Sequence, residues 1–430
     1  MPPLLSLVAL APGPVLDVDD LRGAIVGAVV TAPDGRPLYA RNPDTRLMPA
    51  SNEKLFTVAF ALDTLGPAYR SETRFWRDEE SVGIDSDGTL DLSYARLRAF
   101  MEKFGHRPRV TLSQAFSAGR PLGWQLGDAP NRYAPAIAAF SCERAGVELR
   151  ADANGQPQVF PAPLGVAIAP RGVSVVSGPT IPIAKGLRFE PVSGAVTWPS
   201  DVTLAPGVVD TLSQPFPDLS AAALFATDGE EASVTLANPD PRLVRRRAPD
   251  ATLLADPLRD VAGRCLKPSD NFLAEQLLMM AASRKLNGKP VWRPTYESAA
   301  REISAWGRGR VGLPDRSFDP ADGSGLSRKN LVTARSVVRL LNWSRRQAWG
   351  GTFVASLADP TTGTLKGRLR GIDFRGKTGT LDGACSLSGF VKCKSGRQLA
   401  VSLLMNHYAC PTARVRALQD EFVKRVAASY

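Results

Sequence analysis

A serine hydroxyl is a weak nucleophile near neutral pH and needs an adjacent base. In Pro49-Ala50-Ser51-Asn52-Glu53-Lys54 the serine and the lysine stand three positions apart, and on a helix that spacing puts both over one face. A lysine serves as base only without its proton, a state favoured by desolvation and by nearby positive charge. S-x-x-K alone decides little, because ordinary serine usage yields about one match by chance in a chain of this length. Two further triplets change the weighing. Ser269-Asp270-Asn271 heads a helical pattern, and Lys377-Thr378-Gly379, followed by Thr380, lies on a strand-like run. K-T-G arises by chance in about one such chain in twenty, and the ordered trio S-x-x-K, S-D-N, K-T-G is an acyl-serine set.

Each part has a separable use. The helix N-terminus offers a favourable field to an alkoxide and a tetrahedral oxyanion, and the Ser51 backbone N–H can donate to it. Ser269 can relay a proton between Lys54 and a leaving amine, and Asn271 supplies an amide. Lys377 brings positive charge, while the hydroxyls of Thr378 and Thr380 suit a substrate carboxylate. Gly379 lets a substrate lie close against the strand. A C-terminal carboxylate is the implied handle. The bland alternative makes Ser51 and Ser269 helix N-caps and Lys377 a turn residue; the ordered set weighs against it.

The elements that must hold these residues can be read around them. Residues 23–42 form two β-branched runs about Pro33-Asp34-Gly35, a hairpin. From Ser51 to about Leu65 apolar residues cover most of the circumference, which marks a helix buried on most sides. Between about Thr73 and Ala248 the texture turns to short β-like runs rich in Gly and Pro, with one helical pattern, YARLRAFMEKF. Helical patterns then return over Leu253–Leu266, Asn271–Ser283, Ala299–Trp306 and Ala334–Arg345. Two strands, CSLSGFVKC and QLAVSLLMN, and a closing helix from about Thr412 to Ala428 complete the chain. Strands at both ends with helices between predict an α+β fold: an antiparallel sheet flanked by helices, from residues 1–72 and 249–430. Residues 73–248 are expected to be inserted β-rich material, as two nested subdomains.

Composition excludes several chemistries. At 430 residues and 44% apolar content the chain can bury sizeable cores. Its net charge is +11, carried by 12 lysines and 41 arginines against 42 acids, which favours polyanionic partners. The basic residues are dispersed, the densest run being Arg242–Arg247, and no nucleic-acid motif accompanies them. Two histidines, His106 and His407, leave no material for a Ser-His-Asp triad or a multi-histidine metal site. Five cysteines lack C-x-x-C spacing. Cys385 and Cys393 bracket one strand and are too far apart to join each other; Cys410 could approach either. No apolar stretch is long enough for a transmembrane helix, which leaves peripheral membrane contact open. MPPLLSLVALAPGP resembles the back half of a signal peptide, with Ala9-Leu10-Ala11 as an A-x-A site but no basic n-region.

The chain resembles the low-molecular-mass class C penicillin-binding proteins of the penicillin-binding protein 4 type, the serine D-alanyl-D-alanine carboxypeptidases and endopeptidases. The residues carrying this are PASNEKLFT, PSDNFLAEQLL, DGSGLSRKN, TTGTLKGRL and GKTGTLDGACSLSGF, with weaker echoes in GWQLGDAPNRYAPAIAAFS. Ser51 and Ser269 lie 218 residues apart, a gap far longer than in class A β-lactamases, and that family carries inserted domains there. The resemblance implies a transpeptidase-like domain with Ser51 as acylated nucleophile and Lys54 as base. Ser269 and Asn271 would be its second motif, and Lys377, Thr378 and Gly379 its third. The backbone N–H groups of Ser51 and Thr380 would form the oxyanion hole. One departure stands out: after Gly88-Thr89-Leu90 the family usually continues with a G-D-P segment, whereas this chain passes to DLSYARLRAF.

The reading is therefore a periplasmic or secreted acyl-serine hydrolase that removes the terminal D-Ala of a peptidoglycan stem peptide and, by the same resemblance, can cut D-Ala cross-links. β-Lactams are its expected covalent inhibitors, and it needs no metal or organic cofactor. A β-lactamase and a non-catalytic wall-binding protein are the rival readings.

Overall fold

The computed structural model describes residues 13–161, 180–226, 233–236, 247–286 and 293–430. The N-terminal signal-like run and Arg242–Arg246 lie outside them. Two units divide the chain. One takes residues up to Ala68, Leu258–Asp270 and Glu297–Tyr430, and the other takes Tyr69–Pro257 and Asn271–Tyr296.

The first unit is built on an antiparallel five-stranded sheet. In chain order its strands are Ile25–Thr31 (β1), Pro37–Arg41 (β2), Phe374–Leu381 (β3), Ala384–Lys392 (β4) and Gln398–Asn406 (β5). They lie side by side as β3-β4-β5-β1-β2, so both chain ends supply the sheet and the K-T-G strand β3 is an edge. β1, β4 and β5 are buried almost throughout, because helices cover both faces. On one face Val26, Ala28 and Val30 join Val401, Leu403 and Met405 against Leu418, Phe422 and Val426 of the closing helix Thr412–Ser429. On the other, Asn342 of the helix Ala334–Ser344 donates to the Thr31 hydroxyl at 2.8 Å. Each fully buried aliphatic or aromatic side chain contributes about 1.5–3 kcal/mol.

The helix Glu53–Leu65 lies within this unit with ten residues buried, as its all-round apolar sequence requires. Phe56 stacks on Phe318 at 4.2 Å and Phe60 meets Trp306 at 5.4 Å. The helix ends at Gly66, whose φ of +84° suits glycine and whose N–H closes on the Leu62 carbonyl.

The second unit carries most of the β-rich material. Its main sheet orders strands Ser233–Leu236, Arg109–Gln114, Ser81–Ser86, Glu72–Arg77 and Ala251–Leu254, with parallel pairing of Ser81–Ser86 to Arg109–Gln114 across the helix Tyr94–Phe104. One apolar core, from Phe75 and Leu112 through Leu149 to Phe189, Trp198 and Phe225, serves this sheet and the smaller ones alike.

Two expected boundaries differ. The helix expected over Leu253–Leu266 begins only at Leu258, and Ala251–Leu254 instead pairs with Glu72–Arg77. Pro257 is the reason, since a residue before proline is driven to extended backbone. The helix Asn271–Leu286 falls in the second unit. There Gln276 donates to the Ala138 carbonyl at 2.6 Å and Met280 packs over Gly88. All five cysteines are free. No helix among the described residues is long and apolar enough to cross a membrane.

Candidate active site

Ser51 sits in a single 3-10 turn, Ala50–Asn52, that leads into the helix Glu53–Leu65. Ala50 before it has φ +47°, a left-handed conformation costly to any residue with a Cβ. Two contacts hold it there. The Pro49 carbonyl accepts from Ser386 Oγ on β4 at 2.6 Å. Gly325 presses on the other side, where a Cβ would lie 1.9 Å from the Ala50 oxygen, so position 325 admits only glycine.

The S-x-x-K spacing does what helical geometry predicts. Lys54 Nζ donates to Ser51 Oγ at 3.0 Å and to the Ser324 carbonyl at 2.7 Å, and Lys54 is fully buried while Ser51 is half-buried. A neutral amine so placed keeps an N–H on the carbonyl and turns its lone pair to the hydroxyl. The Ser324 carbonyl is itself fixed. Asp322 accepts from the N–H groups of Gly325 (2.7 Å) and Ser327 (2.6 Å) and from Asn330 Nδ2 (2.8 Å). Thr57, one turn along the helix from Lys54, donates to the Gly323 carbonyl at 2.7 Å.

The edge strand β3 passes directly beside the serine. Asn52 Nδ2 donates to the Lys377 carbonyl at 3.1 Å. A Cβ on Gly379 would lie 2.8 Å from Ser51 N and 2.8 Å from the Pro49 oxygen. Lys377 is fully buried, and its ammonium donates to the Thr378 carbonyl at 2.8 Å. Burial, and then the charge of Lys54, hold its pKa well below the ordinary lysine value. Two lysines in one dry site resist carrying two charges at once. Thr378 Oγ1 donates to Thr364 Oγ1 at 2.6 Å, and the exposed Thr380 accepts from Arg416 at 3.2 Å.

Lys267, two residues before Ser269, is tied to that same Thr364. The Thr364 N–H donates to the Lys267 carbonyl at 3.0 Å, and Gly363 lies so close to that carbonyl that a Cβ would stand 2.1 Å away. Ser269 follows two residues later with φ +67°. Asn271 opens the helix Asn271–Leu286 in the second unit, where its Nδ2 donates to the Tyr133 carbonyl at 2.7 Å.

Ser51, Lys54, Lys377, Thr378, Gly379 and Thr380 are thus gathered on one helix start and one strand edge, with Ser269 on a loop tied to them. Sequence reasoning did not single out Asn52, Asp322, Thr364, Ser386 or Arg416. The Asp-Gly-Ser-Gly turn at 322–325 carried a trace of the Asp322 cradle. His106 and His407 are both exposed. No His, Cys, Asp and Glu cluster able to hold a metal occurs among the described residues.

The chain is similar to known proteins over most of its length. Residues 14–169 and 217–428 match the model of the D-Ala-D-Ala carboxypeptidase 3 (S13) family. The D-alanyl-D-alanine carboxypeptidase of Actinomadura sp. (strain R39) is 29% identical over 464 residues, covering 96% of this chain and 83% of that protein. Penicillin binding protein 4 from Haemophilus influenzae superposes with a TM-score of 0.74 at 20% identity, over 95% of this chain and 97% of the other. The same protein complexed with a β-lactam gives 0.71 at 18% identity, over 96% and 99%.

Proposed function

The chain belongs to the D-Ala-D-Ala carboxypeptidase 3 (S13) family, and we propose that its serine-peptidase chemistry runs through Ser51 on the D-Ala-D-Ala end of peptidoglycan stem peptides. The observation that carries this is the 3.0 Å contact between Ser51 Oγ and Lys54 Nζ, with the buried Lys377 close enough for the two charges to oppose each other. Neutral Lys54 takes the Ser51 proton as Oγ attacks the carbonyl carbon of the penultimate D-Ala. The negative oxygen of the tetrahedral intermediate is met by the N–H groups of Ser51 and Thr380. As the C–N bond breaks, the proton passes from Lys54 through Ser269 to the amine, and free D-Ala leaves. Water then adds to the ester with Lys54 again as base, releasing the shortened stem and restoring Ser51.

A D-Ala cross-link presents the same amide to the same nucleophile, which gives endopeptidase activity the same route. A β-lactam mimics the D-Ala-D-Ala amide but keeps its leaving group tethered, so its ester on Ser51 persists. A periplasmic or secreted setting follows from the substrate.

The test is release of D-Ala from a stem pentapeptide, with a fluorescent penicillin as second readout. Wild type should release D-Ala and keep a long-lived penicillin adduct, and Ser51→Ala should do neither. Release by Ser51→Ala at the wild-type rate would sink the assignment, and rapid turnover of the penicillin would favour the β-lactamase reading.

A further inference from the structure

Between the hairpin strand β1 and the helix Ala334–Ser344 lies a cavity of about 350 Å³, a volume that suits a small ligand. It is remote from the nucleophile. In the sheet β1 stands three strands from β3, about 14 Å at the usual strand spacing. One wall is a stripe of the helix, where Arg335, Arg339 and Asn342 follow each other at helical spacing. Arg346 extends that stripe in the next turn, its N–H closing on the Trp343 carbonyl at 3.1 Å. Thr31 at the end of β1 and Asp34 in the hairpin turn form the other wall, and the buried Val29 and Val338 line the space between.

The charges on this stripe are unevenly matched. Arg335 makes a two-pronged pair with Asp44 at 2.6 and 2.8 Å. Arg339 and Arg346 are exposed, and neither has a carboxylate within ion-pair distance among the described residues. Arg346 reaches only the Pro33 carbonyl, at 3.4 Å. Burial, and then the charge of Arg346, lower the pKa of the neighbouring Arg345. Deeper in the wall two polar groups have unused capacity. Asn342, 3% exposed, spends its Nδ2 on the Thr31 hydroxyl at 2.8 Å, while its Oδ1 is buried without a hydrogen-bond partner, which is uncommon for a buried acceptor. The Thr31 hydroxyl, by accepting from Asn342, keeps its own proton to donate. At the mouth, Asp34 Oδ1 accepts from the Arg36 N–H at 2.9 Å, which fixes that carboxylate in the turn.

We propose that this cavity is an accessory binding site for an acidic sugar unit of a wall polymer, with its carboxylate or phosphate on Arg339, Arg346 and the Thr31 hydroxyl and its own donors on Asp34 and Asn342 Oδ1. A guanidinium keeps its proton at every working pH and presents a planar fork that matches either anion. Sugar hydroxyl and amide N–H groups supply what an acceptor such as Asn342 Oδ1 lacks, and the C–H face of the ring suits Val29 and Val338. A bare oxyanion would satisfy the arginines alone. The net charge of +11 draws such a polymer to the chain, and a polymer held here keeps its stem peptides at a raised local concentration near Ser51. The choice of a wall polymer rests on the proposed function above; the cavity itself lies outside the acyl-serine machinery.

The experiment titrates the full chain by calorimetry with N-acetylmuramic acid, N-acetylglucosamine 1-phosphate, neutral N-acetylglucosamine and inorganic phosphate. Wild type is compared with Arg339→Ala/Arg346→Ala and with Arg98→Ala/Arg425→Ala, which removes two charges from exposed positions elsewhere; thermal midpoints confirm folding. At least one acidic sugar should bind wild type about 10-fold or more tightly than the neutral sugar or inorganic phosphate. Arg339→Ala/Arg346→Ala should lose that advantage, while the charge control stays within about twofold of wild type. Preference for the muramic acid identifies the carboxylate-bearing glycan as the source, and preference for the sugar phosphate identifies a phosphodiester polymer. Binding of neither acid, equal binding of the neutral sugar or of inorganic phosphate, or equal losses in the two double variants overturns the site. Penicillin acylation of Ser51 should stay within about twofold in Arg339→Ala/Arg346→Ala; a parallel loss of acylation would place the effect in the sheet and overturn the site as well. The titration uses no peptidase assay, so a wild type that releases no D-Ala overturns the proposed peptidase function and leaves the cavity to be decided by binding.

Discussion

Replacing Gly379 with alanine places one methyl group where β3 passes the nucleophile. Its Cβ would lie 2.2 Å from Ser386 Oγ and 2.8 Å from both the Pro49 oxygen and Ser51 N. Ser386 can rotate away, but only by surrendering its 2.6 Å bond to the Pro49 carbonyl, a loss of about 1 kcal/mol. The two backbone atoms have no such freedom. Each must retreat by about 0.6 Å to regain ordinary contact, and overpacking of this kind costs about 1–3 kcal/mol. A domain with about 5–15 kcal/mol of stability survives that, so Gly379→Ala should fold. Catalysis is less tolerant, because a misplacement near 1 Å costs about 100-fold. The expected result is acylation by fluorescent penicillin about 10- to 100-fold slower than wild type, with a thermal midpoint lower by a few degrees. Adding Ser386→Ala should restore part of the midpoint and little of the rate, since the clashes with Pro49 and Ser51 remain. Acylation within threefold of wild type would refute the claim that this strand is packed tightly on the serine.

Asp322→Ala removes the acceptor of three buried hydrogen bonds in the loop that holds the Ser324 carbonyl against Lys54. At about 1.5–3 kcal/mol for each bond to a charged group, and allowing for non-additivity, stability should fall by about 3–5 kcal/mol; an unchanged urea midpoint would show the cradle to be incidental. Lys377 loses its proton in the folded chain well below the ordinary lysine value, mainly through burial and then through Lys54, while the unfolded chain keeps that proton to about pH 10.4. Between those two values the unfolded state binds more protons, so this group's contribution to stability rises with pH there and is flat below the folded value. Lys377→Met should abolish that rise and raise the thermal midpoint at neutral pH while acylation falls about 100-fold or more; a midpoint that tracks pH as in wild type would refute it.

The sequence carried the chemistry further than it carried the architecture around it. Periodicity marked the helix Glu53–Leu65 and the strands Ala384–Lys392 and Gln398–Asn406 to within a residue or two. These are long elements buried on most sides, where local pattern and tertiary demand coincide. Leu253 and Leu254 belong to a strand and not to the expected helix Leu253–Leu266, because the strand character of Ala251–Leu254 comes from pairing with Glu72–Arg77, a partner some 180 residues away in sequence. The same limit hid the side chains that support the site. Ser386 matters for the Pro49 oxygen, Asn52 for the Lys377 carbonyl and Thr364 for the Lys267 carbonyl. None of those pairings has a periodicity. Lys377 is expected from sequence as a positive charge on the strand; its burial comes only with the residues packed about β3, and that burial lowers its pKa.

Ser269 offers the sharpest separation of chemistry from scaffolding, because two demands meet in one residue. Its φ of +67° costs a residue with a Cβ about 1–2 kcal/mol and glycine almost nothing. Its hydroxyl is the proposed proton relay. Ser269→Ala keeps the strain and removes the hydroxyl, whereas Ser269→Gly removes both. If the position matters for the bend that leads from Lys267 into Asn271, glycine should restore what alanine loses. If the hydroxyl moves the proton, both variants should lose acylation together, by about 10²- to 10⁴-fold, the range for a removed acid–base group. Ser269→Gly should then be at least as stable as Ser269→Ala, since at positive φ the relief of strain outweighs glycine's extra unfolded-state entropy of about 0.4–1 kcal/mol. The expected pattern is therefore equal loss of rate with unequal stability. A Ser269→Gly enzyme acylated at the wild-type rate would remove Ser269 from the proton path and leave it a backbone hinge between the second motif and the helix it precedes.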